Sequence, residues 1–448
     1  MNSQISAASI LEQVSRRAEG AELYEARSFG LPVSFRAGTL ESVKAVETAG
    51  RALRVISDGR LGFSTTTDLT DHTTLVQNAL ECALFGDPAS FEFPADQPSP
   101  AVQCFDRQVE QLGEQELIAL GEEVIDRIKA YDPGLQIDFS ITKNVETVAL
   151  LNTSGLAVED RRTSLSAGIE VTRTREDDIL IVYDQVSARR SEDLDVLATA
   201  ERLIERLRWA EETVTIESKA MPTVFTSLGT FCLVLPLVMG LNGRYVYLGA
   251  SPLGEKLGQQ VFDSRFTFLD DGRLDFAVQS APYDDEGTPT TRKPLIEGGV
   301  VSQFLYDLRT AAQAQARPTG NGFKSDGLLE RGFHLPPGIA SATSLILPGD
   351  RSLKEILRDL PEALLVEQVL GLGQGNVMAG EFSNNVGLGF LVRNGEIVGR
   401  VKNTMIAGNA YDLLKDQLIA LSDRAEWLFG LLHAPAIVID EVGMASKS

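Results

Sequence analysis

The chain has 448 residues, too many for one simple core, and its 43% hydrophobic content is that of a globular protein with two or three domains. Lys and Arg total 41 against 63 Asp and Glu, a net charge of −22. That balance argues against nucleic acid or an anionic membrane surface as partner, because both need a basic footprint; its simplest reading is solubility.

The opening segment, MNSQISAASILEQVSRRAEG, has neither the basic start nor the continuous apolar run of a signal peptide. It reads as an amphipathic helix with Ile5, Ile10, Leu11 and Val14 on one side. Alternating apolar residues broken by glycine predict short strands in AELYEARSF, LPVSFRAGTLESVKAVE and GRALRVISDGRLGFSTT. Leu75, Val76, Ala79, Leu80, Ala83 and Leu84 form a helical stripe that Gly86 stops. Residues 1–90 thus read as one α/β subdomain of order α-β-β-β-α. Residues 91–113, with Pro94, Pro98 and Pro100 and little periodicity, read as a linker or surface loop.

Residues 114–214 read as a second α/β subdomain. Leu117, Leu120, Val124, Ile125 and Ile128 mark a helix that ends before Pro133. Leu135, Ile137, Phe139 and Ile141 alternate as in a half-buried strand, and Asn152–Gly155 looks like a hairpin turn. Strands follow in GIEVTRTREDDILIVYDQV, and a helix buried through Val196, Leu203, Ile204 and Leu207 closes the unit.

From residue 215 to 448 glycine becomes frequent and strands dominate, so the fold class is α+β with a larger, strand-rich C-terminal domain. FCLVLPLVMGLNG, Phe231 to Gly243, begins with eleven residues that carry no charged, amide or hydroxyl side chain. It falls short of the roughly 20 residues of a membrane span and reads as a buried helix containing Pro236. Asn394–Gly395 suits a type I′ hairpin, and the tail DLLKDQLIALSDRAEWLFGLL is predicted to return to helix.

Several standard sites are absent from the sequence: GxxxxGK[ST], HExxH and GxSxG do not occur. In VLGLGQGN the spacing of Gly371, Gly373 and Gly375 lacks the third glycine of GxGxxG, and the segment reads as a turn between strands. His72, His334 and His433 are too far apart to pair on one helix face, and His433, in LLHAP, reads as structural. Cys82, Cys104 and Cys232 form no CxxC pair, which points to a reducing, cytoplasmic setting without disulfides. In YDDEGTPTTR, Asp284, Asp285 and Glu286 could bind a cation, but adjacent side chains diverge. The simpler reading is a solvated turn, or pairing with Arg292; FLDDGRLDF carries a similar acidic turn.

Taken in order, SFRAGTLESVKAVETAGRALRVISDGRLGFSTT, YDDEGTPTTRKPLIEGGVVSQFLYDLRTA, TGNG and LLVEQVLGLGQGNVMAGEFSNNVGLGFLVRNGEIVGRVKNTMIAGNAYDLL resemble the TldD/PmbA family. The resemblance covers nearly the whole chain. It implies an N-terminal domain of two α/β subdomains before the strand-rich C-terminal domain. It also implies a cytosolic metallopeptidase acting on unfolded or modified peptides. In that family a TldD-type subunit binds zinc through an HExxxH helix and a C-terminal cysteine. It pairs with a TldE (PmbA) subunit that lacks the metal site.

FCLVLPLVMGLNG falls where the zinc helix would run. Matching its GLNG to the end of the motif puts Val234 and Met239 at the histidine positions and Leu235 at the glutamate. No histidine lies between His72 and His334, and no cysteine follows Cys232. The resemblance therefore implies a TldE-like chain with no catalytic or metal residues and no cofactor of its own. Zinc is expected in a TldD-type partner, and the assembly is a heterodimer with that partner or a homodimer. Candidate peptide or partner contacts are Asp284, Asp285, Glu286, Asn321, Asn376 and Phe382, with residues 371–390 as walls. Two other readings stay open. One is a stand-alone homodimeric peptide-binding or chaperone-like module. The other is a hydrolase using Asp284, Asp285 or Glu286 as acid, base or metal ligand.

Overall fold

A computed structural model describes residues 6–325 and 331–446. Helix α1 (Ala7–Val14) buries Ile10, Leu11 and Val14, as the stripe predicts; Ile5 lies outside the described residues. Strands β1 (Gly20–Arg36), β2 (Thr39–Val43), β3 (Val46–Ser57) and β4 (Arg60–Thr66) precede helix α2 (His72–Ala83). The unit has four strands where three are predicted, and β1 runs unbroken through Gly30 and Pro32. Pro32 falls between the end of the β3 ladder at Gly30 and the start of the β2 ladder at Val33, so its missing N–H interrupts neither.

The central unit comprises α3 (Arg107–Gln111), α4 (Glu114–Tyr131), β5 (Gln136–Asn152), β6 (Ala157–Arg175), β7 (Asp178–Ala188) and α5 (Val196–Trp209). Strand β1 pairs with β5 from Glu22–Asn152 to Phe35–Phe139, so both units share one seven-stranded sheet, ordered β4-β3-β1-β5-β6-β7 with β2 on β1. Side chains alternate along a strand. On β1, Ala21 and Leu23 face α1 and α2, while Leu31, Val33 and Phe35 face α4 and α5; Tyr24 and Ala26 point to the opposite face.

Between the units, residues 91–106 have no regular structure, but they are pinned rather than free. Phe93 is buried, Asn152 Nδ2 donates to the Pro94 carbonyl (2.8 Å), Ser99 Oγ to that of Pro282 (2.5 Å), and Asp275 accepts from the Gln103 N–H (2.8 Å).

The C-terminal unit runs β8 (Thr213–Val214), β9 (Met221–Phe225), α6 (Phe231–Gly240), α7 (Gly243–Tyr247), β10 (Phe268–Asp271), β11 (Arg292–Glu297) and β12 (Val300–Val301). It continues with α8 (Leu308–Gln313), β13 (Gly322–Lys324), β14 (Pro337–Ile339), β15 (Ser344–Ile346), α9 (Leu353–Asp359) and β16 (Glu362–Leu370). It closes with β17 (Glu381–Arg393), β18 (Glu396–Val401), β19 (Thr404–Asn409), α10 (Ala410–Asp416), β20 (Leu418–Leu428) and β21 (Leu432–Ser446). Twelve of these strands form one sheet, ordered β12-β11-β10-β15-β21-β9-β16-β17-β18-β8, with β19 on β17 and β21 and β20 on β21. Asn394 and Gly395 turn the β17–β18 hairpin, both at positive φ.

One face of this sheet, through Leu365, Leu388, Phe390 and Val438, packs on Leu203 and Leu207 of α5; Trp209 meets Phe390 edge-on at 5.4 Å. The other face, through Phe225, Val366, Leu391 and Ile437, packs on α6 and α10. Burial on both faces explains the continuous apolar runs of β16 and β21. No helix among the described residues is long and apolar enough to cross a membrane.

The tail departs from the prediction. Only Ala410–Asp416 is helical, and LIALSDRAEWL is strand β20. Its buried leucines, 418, 421 and 428, are spaced as on a helix. The register against β21 shifts between Leu418 and Ala420 and again between Leu421 and Ala425, so irregularities in the ladder break the strand's period of two.

Leu207, fully buried between the sheets, and Leu84, 64% exposed, give a direct contrast. Leu207→Ala is expected to cost about 2–5 kcal/mol, and Leu84→Ala less than about 0.5 kcal/mol, in guanidinium unfolding.

Candidate functional site

Helix α6 puts Val234 in the C-terminal core and leaves Leu235 and Met239 half-buried. Leu235 and Met239, four apart, share a face. Val234 and Met239, five apart, lie roughly 140° apart around a regular helix. Pro236 sits inside the helix, and its carbonyl accepts from the Tyr411 hydroxyl of α10 at 2.8 Å. Zinc takes imidazole, thiolate or carboxylate donors, so the aliphatic and thioether side chains at 234, 235 and 239 do not fit it. Cys232 does not change this. Burial pushes its thiol far up, and Sγ faces the Gly229 carbonyl at 3.1 Å.

Against α6 packs the short 3-10 turn Val377–Ala379, part of the connection from β16 to β17. Gly371, Gly373 and Gly375 hold positive φ here, so the glycine-rich segment is a turn between strands. Asn384 Nδ2 pins its base by donating to the Leu370 and Gly371 carbonyls at 3.0 and 2.8 Å. Leu370 and Leu372 are exposed, and so is Asn376, which caps the 3-10 turn. Phe382 is different: it is buried in the core beneath this connection and presents no exposed ring.

Asp284, Asp285 and Glu286 are not a solvated turn. They are 3%, 6% and 1% exposed, at the junction of the two sheets. Arg54 of β3 clamps Glu22 of β1 with two bonds (2.9 and 2.8 Å) and reaches Glu286 Oε1 at 2.6 Å. Glu286 Oε2 accepts the Leu308 N–H at 2.8 Å. Asp284 accepts the N–H groups of Glu286, Thr288 and Gly322, and Asp285 that of Lys324. Gly322 is required here, since a Cβ would stand 2.0 Å from Glu286 Oε2. Arg292 pairs with Asp271 instead, at 3.7 Å.

Asn321 joins a neighbouring knot, donating to Asp270 (2.8 Å) and the Ala340 carbonyl (3.0 Å). Asp270 also accepts from Lys293 (2.7 Å) and Ser341 (2.6 Å), and these partners outweigh burial and hold its carboxyl below the usual range. Of the six contact candidates, Asp284, Asp285, Glu286 and Asn321 come together, while Asn376 and Phe382 lie elsewhere.

Burial pushes Glu286 up to about 7 against the pull of Arg54, and Asp307 adds repulsion. Burial and the Glu286 charge raise Asp284. Lys324, buried with its ammonium 5.0 Å from the Tyr24 and Phe63 rings, is pushed down to about 8 by burial and by Arg54. Glu22, Tyr24, Arg54 and Lys324 escape a sequence reading because they lie in ordinary strands far from residue 286. The usable signal was a charged residue at an inward strand position. Among the described residues no group of three or more His, Cys, Asp or Glu is arranged to hold a metal ion.

Three consecutive domain descriptions of one family match this architecture: PmbA/TldA metallopeptidase domain 1 over residues 21–84, the central domain over 107–211 and the C-terminal domain over 218–446. The chain belongs to the PmbA/TldA metallopeptidase family. An uncharacterized protein of Methanocaldococcus jannaschii is 25% identical over 423 residues, 93% of this chain and 94% of that one. Metalloprotease PmbA of Escherichia coli O157:H7 is 25% identical over 422 residues, 91% and 88% of the two chains. The crystal structure of TldE from Thermococcus kodakarensis superposes with a TM-score of 0.89 at 21% identity, covering 98% and 99%, a likeness of fold.

Arg54→Met is expected to destabilise the protein by about 3–5 kcal/mol in guanidinium unfolding, because Glu22 and Glu286 stay buried without their partner. Glu286 has a folded-state value near 7 against 4.5 for the free carboxyl, so its stabilising contribution is complete below about 4.5 and is lost as pH rises through 7. Glu286→Gln should therefore flatten the fall in stability between pH 5 and 7.5, by up to about 1.4 kcal/mol per pH unit, in the same measurement.

Proposed function

We propose that this chain is the non-catalytic, TldE/PmbA-like subunit of a TldD/TldE-type zinc metallopeptidase that degrades unfolded or modified peptides in the cytoplasm. The observation that carries the reading is the donor set of α6. A member of a metallopeptidase family has Val234, Leu235 and Met239 on the helix matched to the metal motif, with no histidine between His72 and His334 and no cysteine after Cys232. Zinc, held by the partner, supplies Lewis-acid activation of water and carbonyl.

This chain would contribute surface. The half-buried face of α6, the adjoining turn Val377–Ala379 and the exposed Leu370 and Leu372 would offer apolar contacts to an extended peptide. Strand edges add main-chain pairing. The carboxylates at 284–286 support the junction rather than the chemistry, because backbone N–H groups and Arg54 already occupy their oxygens.

Capture of the chain from its native cytosol, followed by metal analysis of complex and isolated chain, tests this. The expected result is a second chain bearing HExxxH, with one zinc per pair that follows the partner. Capture of the chain with itself alone and without metal would favour the homodimeric peptide-binding module. Stoichiometric zinc on the isolated chain would overturn the reading of α6.

A further inference from the structure

A cavity of about 190 Å³ lies beside the 284–286 cluster, on the sheet face away from the helices. Its walls come from β5 and β6, from the segment after β7, and from residues 278–279 and 331 of the C-terminal unit. A water occupies roughly 30 Å³ of liquid, so the space suits a small polar group.

Three arginines converge on it in a chain of net charge −22. Arg162 pairs with Asp160 at 2.6 Å. Arg189 is 3% exposed and donates only to carbonyls, those of Ala277, Cys104, Val278 and Ser280, at 2.7–3.2 Å. Arg331 donates to the Ser341 carbonyl at 2.8 Å and stacks over Phe323 at 4.3 Å. Among the described residues, neither Arg189 nor Arg331 has a carboxylate within ion-pair distance.

Three guanidiniums stand near three carboxylates, Glu146 in the lining, Asp160 on Arg162 and Asp285, whose charge acts on Arg162 and Arg331; of the three, only Arg162 pairs directly with a carboxylate among the described residues. Burial, with the nearby Arg162 charge opposing protonation further, pushes Arg189 down to about 10. A guanidinium bonded only to carbonyls lacks the charged, two-bond partner it matches best, and a bound carboxylate would supply one. Asn144 and Ser164 add polar groups to the wall.

We propose that this cavity is a carboxylate-binding site that takes the C-terminal carboxylate of a peptide, held by Arg331 and Arg162 with Arg189 as a fixed positive charge behind them. Guanidinium matches carboxylate with two parallel bonds. Such a site would anchor one end of an extended peptide on this chain. Naming a peptide rests on the functional reading above.

The test is fluorescence anisotropy of the full chain with an N-terminally labelled tripeptide, as free acid and as C-terminal amide, with inorganic phosphate as competitor. The free acid should bind at least tenfold tighter than the amide. Arg331→Gln should abolish that preference with the unfolding temperature unchanged, and Arg331→Lys should restore part of it. Equal binding of acid and amide, unaffected by Arg331→Gln, would sink the inference and leave the peptide reading standing. Binding of neither peptide would sink the peptide reading itself. Binding of phosphate without peptide would replace the carboxylate with a free oxyanion.

Discussion

The structure turns on a buried cation. Arg54 sits in the N-terminal sheet, clamps Glu22 of the neighbouring strand, and reaches across to Glu286 of the C-terminal unit. Attraction between these charges repays their desolvation only when geometry and hydrogen bonding are complete. That requirement fixes how the two sheets meet. Backbone N–H groups from 286, 288, 308, 322 and 324 complete the acceptors, and Gly322 leaves the space they need.

The two sides of the molecule then take different roles. Between the sheets, α5 provides apolar contact and consumes the inner face of β16, β17 and β21. On the far side of the large sheet, α6 packs into the core through aliphatic side chains. Val234 and Leu237 fill the core there, and close packing fixes the helix in place. Its half-buried Leu235 and Met239 lie on a helix that packs on the turn Val377–Ala379 of the glycine-rich connection.

Much of the fold was legible in the chain. Periodicity located α1, α2, α4 and α5, strict alternation located β5, and Asn394–Gly395 located a hairpin. The tail was misread because ladder irregularities in β20 spaced its buried leucines as a helix would. The 284–286 triplet was misread as solvated because adjacent carboxylates are usually exposed, and their partners lie up to 232 residues away.

The sequence by itself determined the family, the α+β class and that Phe231–Gly243 carries no histidine, aspartate or glutamate, because motif order and residue chemistry are local properties. Only the tertiary structure decided that the two N-terminal units share one sheet, that Phe382 belongs to the core, and that Arg162, Arg189 and Arg331 enclose a cavity. Long-range strand pairing made those choices: the β1–β5 register and the contact between sheets set which charges share one low-dielectric space.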